Sequence, residues 1–338
     1  MYLLKQLPSD FIVREIPKLK ITESGRYLYL TITKKNKNTL DVVKQLAKIL
    51  HLPDKDIGFA GNKDKNAITE QVFSVKGGSK ERISKIEIPD LKIECVGYGT
   101  TPLSLGDLEG NQFEITIRNL EKEKIQKVDY IPNYFDEQRF ASNNAAIGKH
   151  IIKKEFSKAL ELMNYSQCTR YLETHKNDFV GALQLIPMRL LKMYVNAYQS
   201  LLWNETVAQY LKEEAEVQKE EKYSVGTFIF IHNPDKFLTV EIPLIGCGDV
   251  TSKNKKINEI MSKILQKEDI TSADFVIKQI KELTQMGEMR KAFIEVKDLK
   301  TGKFQSDELN PEKKKVSVSF SLGKGSYATM VIRAVVED

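Results

Sequence analysis

A chain of 338 residues with 41% hydrophobic and 29% charged side chains has room for two ordinary domains and is too apolar for wholesale disorder. Lys and Arg outnumber Asp and Glu by 52 to 46, a net +6 that favours a polyanionic partner without amounting to a nucleic-acid footprint by itself. No apolar run approaches the ~18 residues of a membrane span. The opening residues lack the layout of a secretory signal, so a cytosolic protein is expected.

The first 130 residues read mainly as strands and turns. Tyr27–Ile32 suits a well-packed strand, and the run Lys34-Lys35-Asn36-Lys37-Asn38 reads as a basic loop. Leu40, Val43, Ala47 and Leu50 then recur at helical spacing behind Asn38 or Thr39 as a cap, with Asp41 in the first turn. Further strands are predicted at Ile57–Ala60, Val72–Val75, Ile93–Tyr98 and Gln112–Arg118. In the last, Phe113, Ile115 and Ile117 alternate with Glu114, Thr116 and Arg118. From about residue 141 the pattern turns helical: Ala145–Met163 and Leu190–Leu211 are predicted as long helices and Thr271–Leu283 as a shorter one. The Lys-rich stretches Lys253–Lys256 and Lys313–Lys315 read as solvated loops. Strand-like alternation returns at Val316, Val318, Phe320 and Leu322, followed by a second apolar run from Tyr327 to Val336. Strand-rich ends around a helix-rich middle suggest an inserted domain, with both ends of the chain building one sheet.

The densest unusual segment is Gly58-Phe59-Ala60-Gly61-Asn62-Lys63-Asp64-Lys65-Asn66-Ala67-Ile68-Thr69-Glu70-Gln71. An acid at a rigid strand-to-loop junction is well placed for chemistry, and flanking lysines would hold Asp64 ionised as nucleophile or base. A polar hairpin turn with a solvated Asp fits the same residues. Gly97-Tyr98-Gly99 begins like a dinucleotide fingerprint, but Pro102 stands where the third glycine belongs. Gly323-Lys324-Gly325-Ser326 lacks the spacing of a phosphate loop, so neither NAD nor ATP is supported. Asn133-Tyr134-Phe135-Asp136-Glu137-Gln138-Arg139-Phe140 suits stacking of unpaired bases and an ordinary domain interface equally. Cys95, Cys168 and Cys247 form no CxxC pair, and His51, His150, His175 and His232 are scattered. Free thiols and no metal site are expected.

These segments, in this order, resemble the TruD family of tRNA pseudouridine synthases along nearly the whole chain. Lys5 with Pro8–Glu15 looks like the family's N-terminal motif. Gly61-Asn62-Lys63-Asp64-Lys65 with Ala67, Thr69 and Gln71 is similar to its catalytic motif, and Leu105–Phe113 resembles the next block. Pro132–Phe140 looks like its PNYFGxQRFG segment, with Asp136 and Ala141 where glycines are usual. Ala197–Asn204, Pro243–Gly246 and Gly325–Thr329 with Arg333 match further on, Tyr327 standing where some members have Phe.

The resemblance implies an α/β (α+β) fold. A discontinuous pseudouridine synthase catalytic domain, residues 1–128 and 296–338, would carry a mixed, largely antiparallel sheet, and residues 129–295 would form an inserted α/β TRUD domain. It implies an isomerase acting on tRNA, usually at the uridine of position thirteen. The reaction breaks N1–C1′ and rejoins the uracil through C5, so it needs no cofactor or metal. Asp64 would attack C1′ or remove the 2′ proton, with Lys5 as its pairing partner. Phe11, Phe113 and Tyr327 would line the pocket for a flipped-out uracil. Asn111 would hold the base edge or the loop. Lys63 and Arg139 would contact substrate, and Lys34, Lys35 and Lys37 would meet phosphate or base. A monomer that binds tRNA and neither membrane, metal nor nucleotide cofactor is expected. A non-catalytic RNA-binding protein on the same fold is the competing expectation.

Overall fold

The computed structural model describes residues 2–248 and 250–337, with only the backbone of Ser142. The chain divides into two units, Met1–Asp129 with Glu295–Asp338, and Tyr130–Ile294.

The first unit opens with β1 (Phe11–Pro17), β2 (Tyr27–Lys35), α1 (Thr39–Leu50), β3 (Ile57–Phe59), β4 (Ile68–Lys76), α2 (Lys80–Ile83), β5 (Leu91–Gly99) and β6 (Leu108–Leu120). In β1, Phe11, Val13 and Glu15 are buried, while Ile12 and Arg14 between them are partly open. In β6, Phe113, Ile115 and Ile117 are buried and Glu114 is exposed, the alternation that a sheet with one covered face requires. Helix α1 supplies much of the cover. Its Val42, Val43, Leu46, Ala47 and Leu50 pack on Leu28, Leu30 and Ile32 of β2 and Phe73 and Val75 of β4. The buried stripe is turned from the one the spacing suggests, for Leu40 faces solvent and Val42 and Leu46 lie inside. The strand expected to end at Ile32 runs on to Lys35.

The middle unit contains β7 (Tyr130–Pro132), α3 (Asn144–Ile152), α4 (Phe156–Met163), α5 (Ser166–Thr174), α6 (Phe179–Gln184), α7 (Met188–Glu214), β8 (Val217–Tyr223), β9 (Gly226–Ile231), β10 (Glu241–Leu244), α8 (Lys255–Glu268), β11 (Glu288–Lys291) and β12 (Phe293–Glu295). Helix α7 is its axis, buried along most of its length from Leu191 to Leu211. Helix α3 lies against it so closely that a Cβ on Gly148 would come within 2.1 Å of the Tyr194 carbonyl oxygen. Three expectations are corrected here. The helix predicted over Ala145–Met163 is two, because Lys154 turns left-handed at φ 58°. Thr271–Leu283 holds two short 3-10 turns, the first closed by reciprocal bonds between Thr271 and Asp274. The Lys253–Lys256 stretch leads into α8, whose first turn is capped by the Asn254 side chain.

The chain then returns to the first unit with β13 (Lys297–Thr301), β14 (Gln305–Ser306), β15 (Lys314–Gly323) and α9 (Ala328–Val335). The apolar run after Gly325 is therefore a helix; periodicity over so few residues does not separate the two states. The sheet runs β13-β15-β6-β1-β4-β2-β5, with β14 on β15 and β3 on β4, and of its strands as described β1 and β4 pair in parallel and the others antiparallel. The fold is thus α+β around a mixed, largely antiparallel sheet. Both chain ends build it, since β15 lies between β6 and β13. No helix among the described residues is long and apolar enough to cross a membrane. Cys168 and Cys247 are buried and Cys95 exposed, all as free thiols.

One buried cluster ties these ends together. Arg118, expected on the polar face of β6, is interior and meets Asp10 at 2.9 Å, Asp307 at 2.8 Å and Glu308 at 3.1 Å. Burial alone would push the Asp307 carboxyl up. Bonds from the Asn119 and Leu309 amides, Asn310 and Arg118 outweigh it and hold the group at about 2. Arg118→Met would leave Asp10 and Asp307 buried without a counter-charge and should lower unfolding stability by about 3–5 kcal/mol in urea titrations. A depressed carboxylate stabilises above its unfolded value of ~3.9 and loses that contribution as pH falls toward 2. The stability penalty of Asp307→Asn should therefore be larger at pH 7 than at pH 3.

Candidate active site

The residues between β3 and β4 cross one end of the sheet, and the sheet's buried face turns polar there. Glu15 on β1, Lys34 on β2, Thr39 on α1, Gln71 on β4 and Asn111 on β6 all point into the space under the loop 60–67. Each takes up a group of that loop. The Lys63 ammonium lies 2.8 Å from Glu15 Oε2 and donates to Asn111 Oδ1 at 2.7 Å, while Glu15 Oε1 accepts from the Val72 amide. Thr39 Oγ1 accepts from the Lys63 amide at 3.0 Å and donates to Gln71 Oε1, whose Nε2 reaches the Gly61 carbonyl at 2.9 Å. The Lys34 ammonium donates to the carbonyls of Lys37 at 2.6 Å, Asp64 at 2.8 Å and Lys63 at 3.4 Å.

With its backbone held in this way, Asp64 presents its carboxylate outward. The side chain is 46% exposed, and Oδ2 lies 2.5 Å from Lys5 Nζ, a partner fifty-nine residues earlier in the chain. Lys5 has φ 58°, a left-handed conformation that is uncommon outside glycine and costs of order 1 kcal/mol. It is imposed from both sides: Leu3 pairs with Arg118 in an isolated bridge, and Asp10 accepts from the Leu7 amide. The Lys5 ammonium also lies 4.1 Å from the centre of the Phe11 ring. That ring meets Phe113 edge-on at 6.3 Å, and Phe113 in turn meets Phe320 at 5.5 Å.

The turn Ser104–Asp107 and the segment after β15 that carries Lys324 complete this end of the sheet. Ser104–Asp107 is closed by bonds between Ser104 and Asp107, with Gly106 at φ 95° where a side chain would be strained. The Gly106 amide donates to the Ala60 carbonyl, and Lys324 Nζ reaches the Gly106 carbonyl at 3.3 Å. Lys35, Lys65 and Lys324 are exposed on the surrounding surface.

Several expectations change. Lys63, expected to contact substrate, has a side chain only 7% exposed, and its ammonium is already held by Glu15 and Asn111. Asn111 accordingly serves the loop. Lys34, expected with Lys35 and Lys37 to meet phosphate or base, is instead buried. Burial lowers its pKa most, Asp64 opposes that and the Lys63 charge adds to it, leaving Lys34 at about 8. Phe11 and Phe113 are core rings, 3% and 7% exposed, Phe11 lying under the Lys5 ammonium. Tyr327 is half-buried at the start of α9. Arg139 belongs to the middle unit, where it faces Ser200 and the Phe135 ring. The neighbouring aromatics do not offer open stacking faces: Tyr134, Phe135 and Phe140 are buried, and Tyr134 and Phe135 pack on Trp203. Asp136 has φ −69°, so that position needs no glycine. Glu15, Thr39 and Gln71 carry site roles that the sequence does not announce: Glu15 and Gln71 stand inside the family motifs, and Thr39 is expected only as a helix cap. No group of three or more His, Cys, Asp or Glu able to hold a metal lies among the described residues.

The family model for tRNA pseudouridine synthase D (TruD) matches residues 2–171 and 163–335. The chain belongs to the TruD family. It is 32% identical to the probable tRNA pseudouridine synthase D 1 of Methanococcus maripaludis, covering 98% of both chains. Identity to the probable tRNA pseudouridine synthase D 2 of Methanocaldococcus jannaschii is 34%, covering 98% of this chain and 90% of that one. The crystal structure of the putative tRNA pseudouridine synthase D (TruD) from Methanosarcina mazei superposes with a TM-score of 0.73 at 26% identity, over 98% of this chain and 92% of that one. A TruD member is a tRNA pseudouridine synthase, an isomerase.

The buried pair beneath the TruD loop gives a direct test. Glu15→Leu leaves the Lys63 ammonium inside without its counter-charge and should cost about 3–5 kcal/mol in urea unfolding. Adding Lys63→Met should restore most of that stability, because an apolar pair of similar volume is tolerated there. Turnover should stay low in the double variant, since the loop has lost its tether to β1 and β6.

Proposed function

We propose that the unit built from Met1–Asp129 and Glu295–Asp338 is the catalytic domain, that Tyr130–Ile294 is the inserted TRUD domain, and that Asp64 carries out the isomerisation of a uridine in tRNA. The observation that carries this reading is the exposed Asp64 carboxylate, paired with Lys5 at 2.5 Å, on a loop whose backbone is bonded from β2, α1 and β4 and whose Lys63 side chain is held by β1 and β6. A carboxylate fixed on rigid elements and open to solvent is ready to meet a sugar, at C1′ as nucleophile or at the 2′ carbon as base. Either route breaks N1–C1′, turns the uracil and forms C5–C1′. The C5 proton leaves and N1 gains one, so no atom is added to or lost from the nucleoside.

Lys5 neutralises Asp64 and is placed to follow charge as it moves from the carboxylate to the departing uracil. The target base must leave the RNA stack first, at a cost of a few kcal/mol. Phe11, with Phe113 behind it, forms the apolar floor beside Asp64, and Tyr327 is the aromatic candidate for stacking on the extruded base. Exposed Lys35, Lys65 and Lys324, with the half-buried Lys37, supply positive charge for phosphates around the site. The uridine at position thirteen is the proposed target, on the strength of the family motifs.

Release of tritium from tRNA labelled at uridine C5 tests the reading. Wild-type protein should release it, Asp64→Asn should lose at least about 10³-fold in rate, and Lys5→Met about 10²-fold, with tRNA affinity nearly unchanged in both. Equal release by wild type and Asp64→Asn would remove Asp64 from the chemistry. Tight binding of tRNA by all three without any release would make the chain an RNA-binding protein.

A further inference from the structure

We propose that Lys34 is a positioning residue for Asp64, its buried ammonium clamping the main chain of the catalytic loop so that the carboxylate projects toward Lys5; this rests on the assignment of Asp64 to catalysis. A lysine at the end of a strand ordinarily extends its ammonium into water. Lys34 is 1% exposed and does the reverse. Its three acceptors come from two segments: Lys37 in the turn after β2, and Lys63 and Asp64 in the loop. Those bonds use all three donors of the ammonium, and two of the acceptors flank the Asp64 amide plane and its carbonyl. Thr39, two residues past Lys37, accepts from the Lys63 amide, so the turn and the loop are joined twice. No contact with substrate is required of Lys34. It acts by setting where Asp64 stands.

The surroundings also make this clamp sensitive to protonation. Asp64 and Lys63 are the charged groups that act on it, and Lys5 and Glu15 stand behind them as their partners. Across β2 it faces Thr69 of β4 and Leu91 of β5, which do not titrate. Beside it, Thr39 of α1 is also non-titrating, and on its own segment Lys35 is exposed and Lys37 half-buried. Burial brings Lys34 down to about 8, so the ammonium is present below that pH and lost above it. Stability moves the other way. Between pH 8 and the unfolded lysine value of ~10.4 the unfolded chain binds more protons, so the folded state gains as pH rises. A role confined to holding the fold would not make turnover fall over that interval.

Single-turnover tritium release from tRNA labelled at uridine C5, measured from pH 6 to 9.5, reads this out in wild type, Lys34→Met and Asp64→Asn. Lys34→Met should lose about 10²-fold at pH 7 and keep tRNA affinity within about twofold. The wild-type rate should fall above pH 8, and that limb should be missing from the Met variant. If Lys34→Met fails to bind tRNA, Lys34→Gln, which keeps two N–H donors without the charge, is measured in its place with the same expectation. A wild-type rate for the neutral variant, or a pH limb shared by both proteins, overturns the role of Lys34 while an inactive Asp64→Asn leaves the catalytic assignment standing. An active Asp64→Asn removes that assignment itself.

Discussion

Beneath Asp64, a lysine ammonium lies inside the protein between a carboxylate and an amide oxygen, and much of the loop geometry follows from that placement. Taking the charges of Lys63 and Glu15 out of water is expensive, and their attraction only repays it when the remaining polar atoms are also bonded. Asn111 meets the Lys63 ammonium, and the Val72 amide meets Glu15. Those partners sit on β1, β4 and β6, which are neighbours in the sheet. Lys63 therefore has one place where its charge is satisfied, and the loop has one register. An apolar pair at positions 15 and 63 would be as stable and would say far less about where the next residue points. That next residue is Asp64.

The same logic extends to the backbone. A loop that crosses the end of a sheet cannot use the sheet's ladder for its own amides and carbonyls, and buried ones must find partners elsewhere. Here the covered face provides them with Thr39, Gln71 and Lys34 where leucines or valines would otherwise continue the core. Apolar packing resumes within two residues along each strand: Ile32 before Lys34, Phe73 after Gln71, Val13 before Glu15. The polar patch is thus confined to the site end, and the rest of the sheet remains free to bury its surface under α1.

How much of this could be read from the sequence depends on which physical signal each element leaves. The strands were legible because alternation in Phe113–Ile117 and Val316–Leu322 is the direct trace of one buried face. The α7 helix was legible because its length exceeds anything a strand would need. Elements whose pattern is short or mixed were not. Tyr327–Val336 is apolar nearly throughout and shows no face, and α8 begins in a lysine stretch whose capping Asn254 was hidden among charges. Asp64 stood out because an acid between lysines at a strand end is unusual. The lysines misled: the sequence displays three basic residues, Lys34, Lys63 and Lys5, with nothing to tell which are buried. Only the pairing of β1 with β4 and β6 reveals that Glu15 waits inside for one of them.

These buried residues also explain why the aromatic floor and the carboxylate can coexist in a small space. Phe11 leads β1, and four residues later on the same face the strand carries Glu15, so one strand supplies both the ring beside Lys5 and the anion that anchors the loop. Lys5 is placed by its own left-handed turn, which depends on Arg118 holding Leu3 and Asp10. Arg118 in turn is bound to Asp307, from the returning segment. The pairing of Lys5 with Asp64 therefore requires the last forty residues of the chain to be folded against the first hundred and twenty. Both members of the pair lie in the first segment, but the turn that aims Lys5 rests on Arg118, and Arg118 is balanced in part by Asp307 of the returning one.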